Sequence, residues 1–275
     1  MRPRTAVIPA AGFGTRFLPA TKAVPKMMLP LIDRPLIQYA VEEAARVDIE
    51  RIVIVTSRGT DAVEAHFEPA PALEAALEAK GRDDLLHLVR STSGGADVTF
   101  VYQDDQLGLG HAVGCAADVV GDDPFAVLLP DEVMHPEDGL LEALVDACDR
   151  YDASVIAVME MPRSEISSYG VVEPEWVEER LARVLSFVEK PPPEEAPSNL
   201  GSIGRYVLTR DVMDAISSTV PGAGGEIQLT DAIASVAASG EAYAYVYRGR
   251  RWDVGTPAGH VRATADLAAE RDDLR

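Results

Sequence analysis

The chain is poor in the residues that mark secreted, metal-dependent or nucleophilic proteins. It has two cysteines, Cys115 and Cys148, far apart and in helix-like stretches, which excludes a disulfide framework and points to reduced thiols. Its five histidines (His66, His87, His111, His135 and His260) share no metal-ligand spacing with one another or with the cysteines. No Ser-His-Asp or Cys-His constellation stands out, so covalent catalysis through an activated nucleophile is not indicated. No uncharged apolar run reaches the roughly 18 residues of a membrane span, and the N-terminus lacks an apolar leader core. The expectation is a cytoplasmic protein without a membrane anchor. Internal repeats and low-complexity segments are also missing.

Positive charge is scarce. The formal net charge is −20, which argues against general nucleic-acid or anionic-membrane binding. Only four of the 25 basic residues are lysines: Lys22, Lys26, Lys80 and Lys190. A chain that defaults to arginine and still keeps a lysine has a use for a compact point charge.

What is present is apolar and periodic. Apolar residues make up 47% of the 275, enough for one large α/β domain with a substantial core. Ala6-Val7-Ile8, Arg51 to Ser57, Val98 to Gln103 and Phe125 to Leu129 read as buried strands. Between them the pattern turns helical: from Asp33 as N-cap to Val47, then from Thr60 to Arg90 as a short helix, a break at Pro69 and Pro71, and one longer charged helix. Gly139 to Tyr151 reads as a helix and Ala153 to Met161 as a strand. Tyr169 to Glu173 and Arg183 to Glu189 then alternate as two-sided strands around an acidic, turn-like Pro174 to Arg180. Leu200 to Leu208 is a strand, Asp211 to Ser217 and Glu226 to Ala238 are helices, Tyr243 to Tyr247 is a strand, and an amphipathic helix (Val261, Ala265, Leu267) closes the chain. The fold class is α/β: a Rossmann-like, doubly wound, mixed but mostly parallel sheet with an inserted β-hairpin lobe. It is read as one domain over 1–275, with 1–150 and 151–255 as its halves and 256–275 as the final helix.

Three stretches carry the chemistry. After the first strand come Ala10, Ala11, Gly12, Phe13, Gly14, Thr15 and Arg16, then Lys22 and Lys26 among Pro19, Pro25 and Pro30. Glycines let backbone N–H groups approach an anion, Arg16 brings a planar donor fork, and the lysines bring point charges. The spacing fits neither a dinucleotide fingerprint, which needs Gly where Phe17 stands, nor a P-loop. Gln103, at a strand end before Gly108, sits where open α/β sheets bind ligands, and its amide can face a base edge. Asp131 follows Leu129-Pro130 at another strand end, a place suited to a Mg²⁺ that also binds phosphates; Glu132 beside it is either supporting or exposed.

The run Gly12 to Leu31, GFGTRFLPATKAVPKMMLPL, resembles the signature loop of the sugar-nucleotide pyrophosphorylases (nucleotidylyltransferases), and its Ala-Thr-Lys-Ala segment is most similar to the uridylyltransferase branch. The resemblance spans nearly the whole chain. It implies a GT-A-like nucleotidyltransferase fold and transfer from UTP to glucose 1-phosphate, giving UDP-glucose and pyrophosphate. It implies that Arg16 and Lys26 act on the triphosphate, with Ala10, Ala11, Gly12, Gly14, Thr15, Gln103 and Gly108 holding the nucleotide. Asp131 and Asp253 would hold Mg²⁺. Gly170, Glu189, Lys190 and Asn199 would receive the sugar phosphate. The family's habit of assembly implies a homodimer or homotetramer. Three positions depart from its usual pattern: Met27 for an acidic residue, Leu107 for Lys, and Gly225 for Asp in Pro221-Gly222-Ala223-Gly224-Gly225. A sister activity on another nucleotide such as dTTP, or a non-catalytic sugar-nucleotide-binding paralogue, stay open on the residues alone.

Overall fold

Ala6 and Ile8 face one apolar layer and Val7 faces another, and all three are fully buried. Strands buried on both sides require helices on both sides. The computed structural model, which describes residues 1–222 and 225–274, supplies them. Nine strands form one sheet: β1 (Thr5–Pro9), β2 (Arg51–Thr56), β3 (Asp97–Tyr102), β4 (Phe125–Leu128), β5 (Ser154–Glu160), β6 (Gly170–Glu178), β7 (Leu181–Glu189), β8 (Leu200–Leu208) and β9 (Ala242–Val246), in the order β3-β2-β1-β4-β8-β5-β9-β7-β6. β1 to β4 are mutually parallel, β5 and β9 run with them, and β7 and β8 run against their neighbours.

The helices are α1 (Leu36–Ala45), α2 (Asp61–Phe67), α3 (Pro71–Ala79), α4 (Asp83–Arg90), α5 (Leu109–Gly114), α6 (Ala117–Val120), α7 (Leu140–Tyr151), α8 (Arg210–Ser218), α9 (Leu229–Ala237) and α10 (Pro257–Glu270). Apolar residues of α1 and α7 cover the Ala6/Ile8 face, and those of α5, α8 and α9 cover the Val7 face. No helix among the described residues is long and apolar enough to cross a membrane.

Several boundaries differ from the sequence expectation, each for a local reason. The acidic stretch from Pro174 is strand rather than turn: β6 runs to Glu178, and only Glu179 and Arg180 make the bend. Its carboxylates stay at the surface, where Glu175 pairs with Arg183 and Glu178 with Arg150. The hairpin also extends the main sheet through β7 and β9, and touches β8 at Gly201↔Val171. The charged helix expected after Pro71 is two helices, broken at Gly81, whose φ of +61° disfavours a side chain. Asp33 is not the N-cap of α1; Pro35 holds that place, because Pro30–Leu31 and Arg34–Pro35 pair as a small hairpin first. The helix expected from Glu226 begins at Leu229, because 226–228 pack against the Leu107–Gly110 backbone. On α10 the buried positions are Gly259 and Ala263, while Val261 is exposed.

Replacing Leu144, fully buried on α7, with Ala should lower unfolding stability by about 2–5 kcal/mol in urea titrations, with the m-value unchanged. Replacing the exposed Glu175 should leave the midpoint where it is.

Candidate active site

Because β1 to β4 are parallel, the segments that follow them leave from one edge of the sheet. The loop after β1 opens with Ala10 and Ala11, both buried, and the Ala10 N–H donates to Val55 O at 2.7 Å. It then makes three short 3-10 turns, Thr15–Phe17, Ala20–Lys22 and Lys26–Met28, separated by Pro19 and Pro25. Gly14 has φ +62°, and a Cβ there would lie 2.8 Å from Lys26 Cβ, so the loop folds tightly back on itself. The Thr21 hydroxyl donates to Gly14 O at 2.8 Å and holds that fold.

The folded loop lines a cleft of about 390 Å³ with Ala10, Gly12, Gly14, Thr15, Arg16, Lys26, Asp131 and Gly255. Lys26 is buried, and its Nζ donates to Asp131 Oδ2 at 2.8 Å. Asp131 lies in the turn after β4, and its carbonyl accepts from Val254 N at 2.9 Å. The strand Arg251–Asp253 pairs with Glu132–Met134, which sets Asp253 opposite Glu132. Gly255 marks where these groups converge. A methyl group there would be 2.9 Å from Asp253 Oδ1, 3.4 Å from Asp131 Oδ2 and 3.6 Å from Arg16 Nη1.

Two carboxylates around one point, without a third, suit a cation that completes its shell with water and phosphate oxygens, which is how Mg²⁺ is usually held. Among the described residues no group of three His, Cys, Asp or Glu is arranged for a metal. The two carboxylates are hard oxygen donors, so the residues present fit Mg²⁺.

Glu132 is largely shielded rather than exposed, its side chain 12% accessible. It receives a two-pronged hydrogen bond from Arg251, with Nη2 donating to Oε1 at 2.7 Å. Burial pushes its carboxyl up to about 7, against the downward pull of Arg251. Arg251 also lies over the Tyr169 ring, 5.2 Å from its centroid, and 3.8 Å from Asp253 Oδ2. Sequence reading missed this arginine. Its one signal was its place two residues before a chosen carboxylate.

Gln103 and Gly108 do come together. The Gln103 amide, 5% exposed, donates to Gly108 O at 3.2 Å and meets His111 Nδ1 at 2.9 Å. Gly108 has φ +103°, and a Cβ would lie 2.8 Å from Ile227 O, so glycine is required by both conformation and space. Ser57, after β2, and Gln106, neither singled out from sequence, both donate to Ala11 O, and Gln106 thereby ties the Gln103–Gly108 turn to the loop after β1. Gly225 adopts φ +77°, a conformation that glycine takes without strain; Ala223 and Gly224 of the same motif lie outside the described residues.

The sugar-side candidates form a second cluster. Gly170 opens β6 opposite Glu189 at the end of β7, and a Cβ on Gly170 would be 3.3 Å from Glu189 Oε2. Glu189 Oε1 holds Lys190 Nζ at 2.9 Å, and Oε2 accepts from Thr230 Oγ1 at 2.6 Å. Lys190 has φ +45° and an exposed side chain. Asn199 is exposed and anchored through its backbone, with its carbonyl accepting from Met161 N at 2.8 Å. Tyr169, next to Gly170, meets Arg251 and so joins this cluster to the carboxylate strand.

The two loop glycines should respond differently to substitution. Gly14→Ala, forced into a left-handed conformation against Lys26, should lose about 1–2 kcal/mol or more in urea unfolding. Gly12→Ala, with nothing within 4 Å, should unfold like the unaltered protein.

Comparisons with known proteins agree with this architecture. Residues 5–270 match the nucleotidyl transferase family. A UTP–glucose-1-phosphate uridylyltransferase of Bacillus subtilis is 46% identical over 272 residues, covering 99% of this chain and 93% of that protein. A solved UDP-glucose pyrophosphorylase complexed with UDP-glucose is 39% identical, with a TM-score of 0.88 over 98% of this chain and all of that one. A UTP-bound UGPase from Acinetobacter baumannii is 38% identical, with a TM-score of 0.90 over 99% of this chain and 95% of that one. With a match running from β1 through α10, and with cationic loop and strand-end carboxylates gathered at one cleft, the chain belongs to the nucleotidyl transferase family.

Proposed function

We propose that this protein transfers the uridylyl group of UTP to α-D-glucose 1-phosphate, giving UDP-glucose and pyrophosphate. The observation that carries the reading is the near-full-length identity with a UTP–glucose-1-phosphate uridylyltransferase. The cleft where Arg16, Lys26, Asp131 and Asp253 converge supplies the chemistry. An oxygen of the sugar phosphate attacks the α-phosphorus in line, a new P–O bond forms, and the bond to the bridging α–β oxygen breaks to release pyrophosphate. The attacking oxygen is already ionised at pH 7, so no general base is needed. Alignment and charge neutralisation remain as the enzyme's task.

Asp131 and Asp253 would hold Mg²⁺, which when bound neutralises charge on the triphosphate oxygens. Lys26, now occupied by Asp131, is within reach of the same cleft and with Arg16 serves the triphosphate. Backbone groups of Ala10, Ala11, Gly12, Gly14 and Thr15 line the approach, and Gln103 and Gly108 read the base. Glu189 accepts hydroxyl donors of the hexose near Gly170 and Asn199, and Lys190 takes its phosphate. In this division residues 1–150 serve mainly the nucleotide and residues 151–255 mainly the sugar phosphate. The free thiols Cys115 and Cys148 accord with a cytoplasmic enzyme, and a homodimer or homotetramer is the assembly we assign.

Pyrophosphate release with glucose 1-phosphate and Mg²⁺ tests the reading. UTP should be strongly preferred over dTTP, ATP, CTP and GTP, and Asp131→Ala should lower turnover by on the order of 10²–10³-fold or more. Preference for another nucleotide would move the chain to a sister activity. Gly255→Ala should cost on the order of 10²-fold in kcat with the circular-dichroism spectrum unchanged, because the added methyl displaces Asp253 from the point it shares with Asp131.

A further inference from the structure

Among the described residues an arginine is the largest fully buried side chain. Arg205 stands in the middle of β8, is 0% exposed, and was read from sequence only as one position of a strand. A buried guanidinium is tolerated only when its N–H groups find acceptors and its charge a partner. All five do. Nε lies 3.1 Å from both carboxylate oxygens of Glu43 on α1, and Nη2 donates to Glu43 Oε2 at 2.8 Å. The remaining donors go to backbone carbonyls: Nη1 to Leu129 O at 2.9 Å and Gly204 O at 3.1 Å, and Nη2 to Glu132 O at 2.6 Å.

Leu129 and Glu132 are the two ends of one turn, closed by Glu132 N donating to Leu129 O at 3.2 Å, and Asp131 is inside it. We propose that Arg205 is the positioning residue for Asp131, grasping both ends of that turn from beneath and fixing where its carboxylate meets the cation. The inference rests on Asp131 being a Mg²⁺ ligand. Were the Arg205–Glu43 pair only a source of stability, an apolar pair of like volume would serve as well. What an apolar pair cannot do is hold two carbonyls of one turn at a fixed spacing. A lysine, with a point charge in place of a fork, can satisfy Glu43 but not Glu43 and both carbonyls together.

The test compares the unaltered protein with Asp131→Ala, Arg205→Lys and the double variant Arg205→Met/Glu43→Leu. Mn²⁺ serves as the probe, titrated by electron paramagnetic resonance on the free protein, alongside thermal melting and steady-state kinetics. Supporting the inference, both Arg205 variants fold, bind Mn²⁺ about tenfold or more weakly, and lose kcat while KM for glucose 1-phosphate stays within about twofold. Mn²⁺ affinity and kcat within about twofold of the unaltered protein, whatever the melting temperature, would overturn it. If the double variant does not fold, Arg205→Lys decides on the same readouts. An unfolded Arg205→Lys also overturns the inference, since the fork would then serve the fold itself. Mn²⁺ binding that Asp131→Ala leaves intact would instead remove Asp131 as a ligand, a separate failure visible without any Arg205 variant.

Discussion

The ion pair between Lys26 and Asp131 closes the site. It joins the loop after β1 to the turn after β4, segments 105 positions apart in sequence, at 2.8 Å, with the lysine buried and the carboxylate partly exposed. Such a pair is a poor source of stability, because the cost of removing two charges from water offsets much of their attraction. Its effect is to keep a cation and an anion side by side in a cleft that neither could occupy alone. Everything around it follows from that constraint. The loop must double back, so Gly14 takes a left-handed conformation against Lys26; the carboxylate must be held from below, so β8 carries a buried arginine under the turn.

The constraint also explains how a chain of net charge −20 can present a site for polyanions. Part of the surface carboxylate charge is engaged by arginines, as in Arg90 with Glu74 and Glu78, or Arg210 with Asp122 and Asp214. Screening by salt shortens the reach of the rest to roughly 10 Å. Inside the cleft the low surrounding polarity strengthens the few cations present. Lys26 occupies one of those places, paired with Asp131, while the exposed Lys190 pairs with Glu189 in the second cluster.

Legibility from sequence followed burial. The strands of the parallel half were readable because residues buried on both faces leave uninterrupted apolar runs, as in Ile52-Val53-Ile54-Val55. The hairpin was half legible: β6 extends through acidic residues because its outer edge faces solvent, where charge does not oppose strand geometry. Gly81 as a helix break was missed because Pro69 and Pro71 are louder punctuation. Loop residues of the site were legible as types, since glycines beside Arg and Lys have a recognisable purpose. Glu132, Arg251 and Arg205 were not, because a charged residue within a strand reads as surface until its partner, 119 or 162 positions away, is seen beside it.

The linear chain by itself determined the α/β alternation, the small-residue and cationic makeup of the loop after the first strand, and the carboxylates at strand ends, since each depends on residue type and near-neighbour spacing. Only the tertiary structure decided that β8 runs antiparallel between β4 and β5, that Gly255 is the point shared by Asp131, Asp253 and Arg16, and that the Glu132 carboxylate is spent on Arg251. Those outcomes depend on contacts between segments far apart in the chain. Local propensity carries no record of such contacts, because their energy exists only once the sheet has brought the segments together.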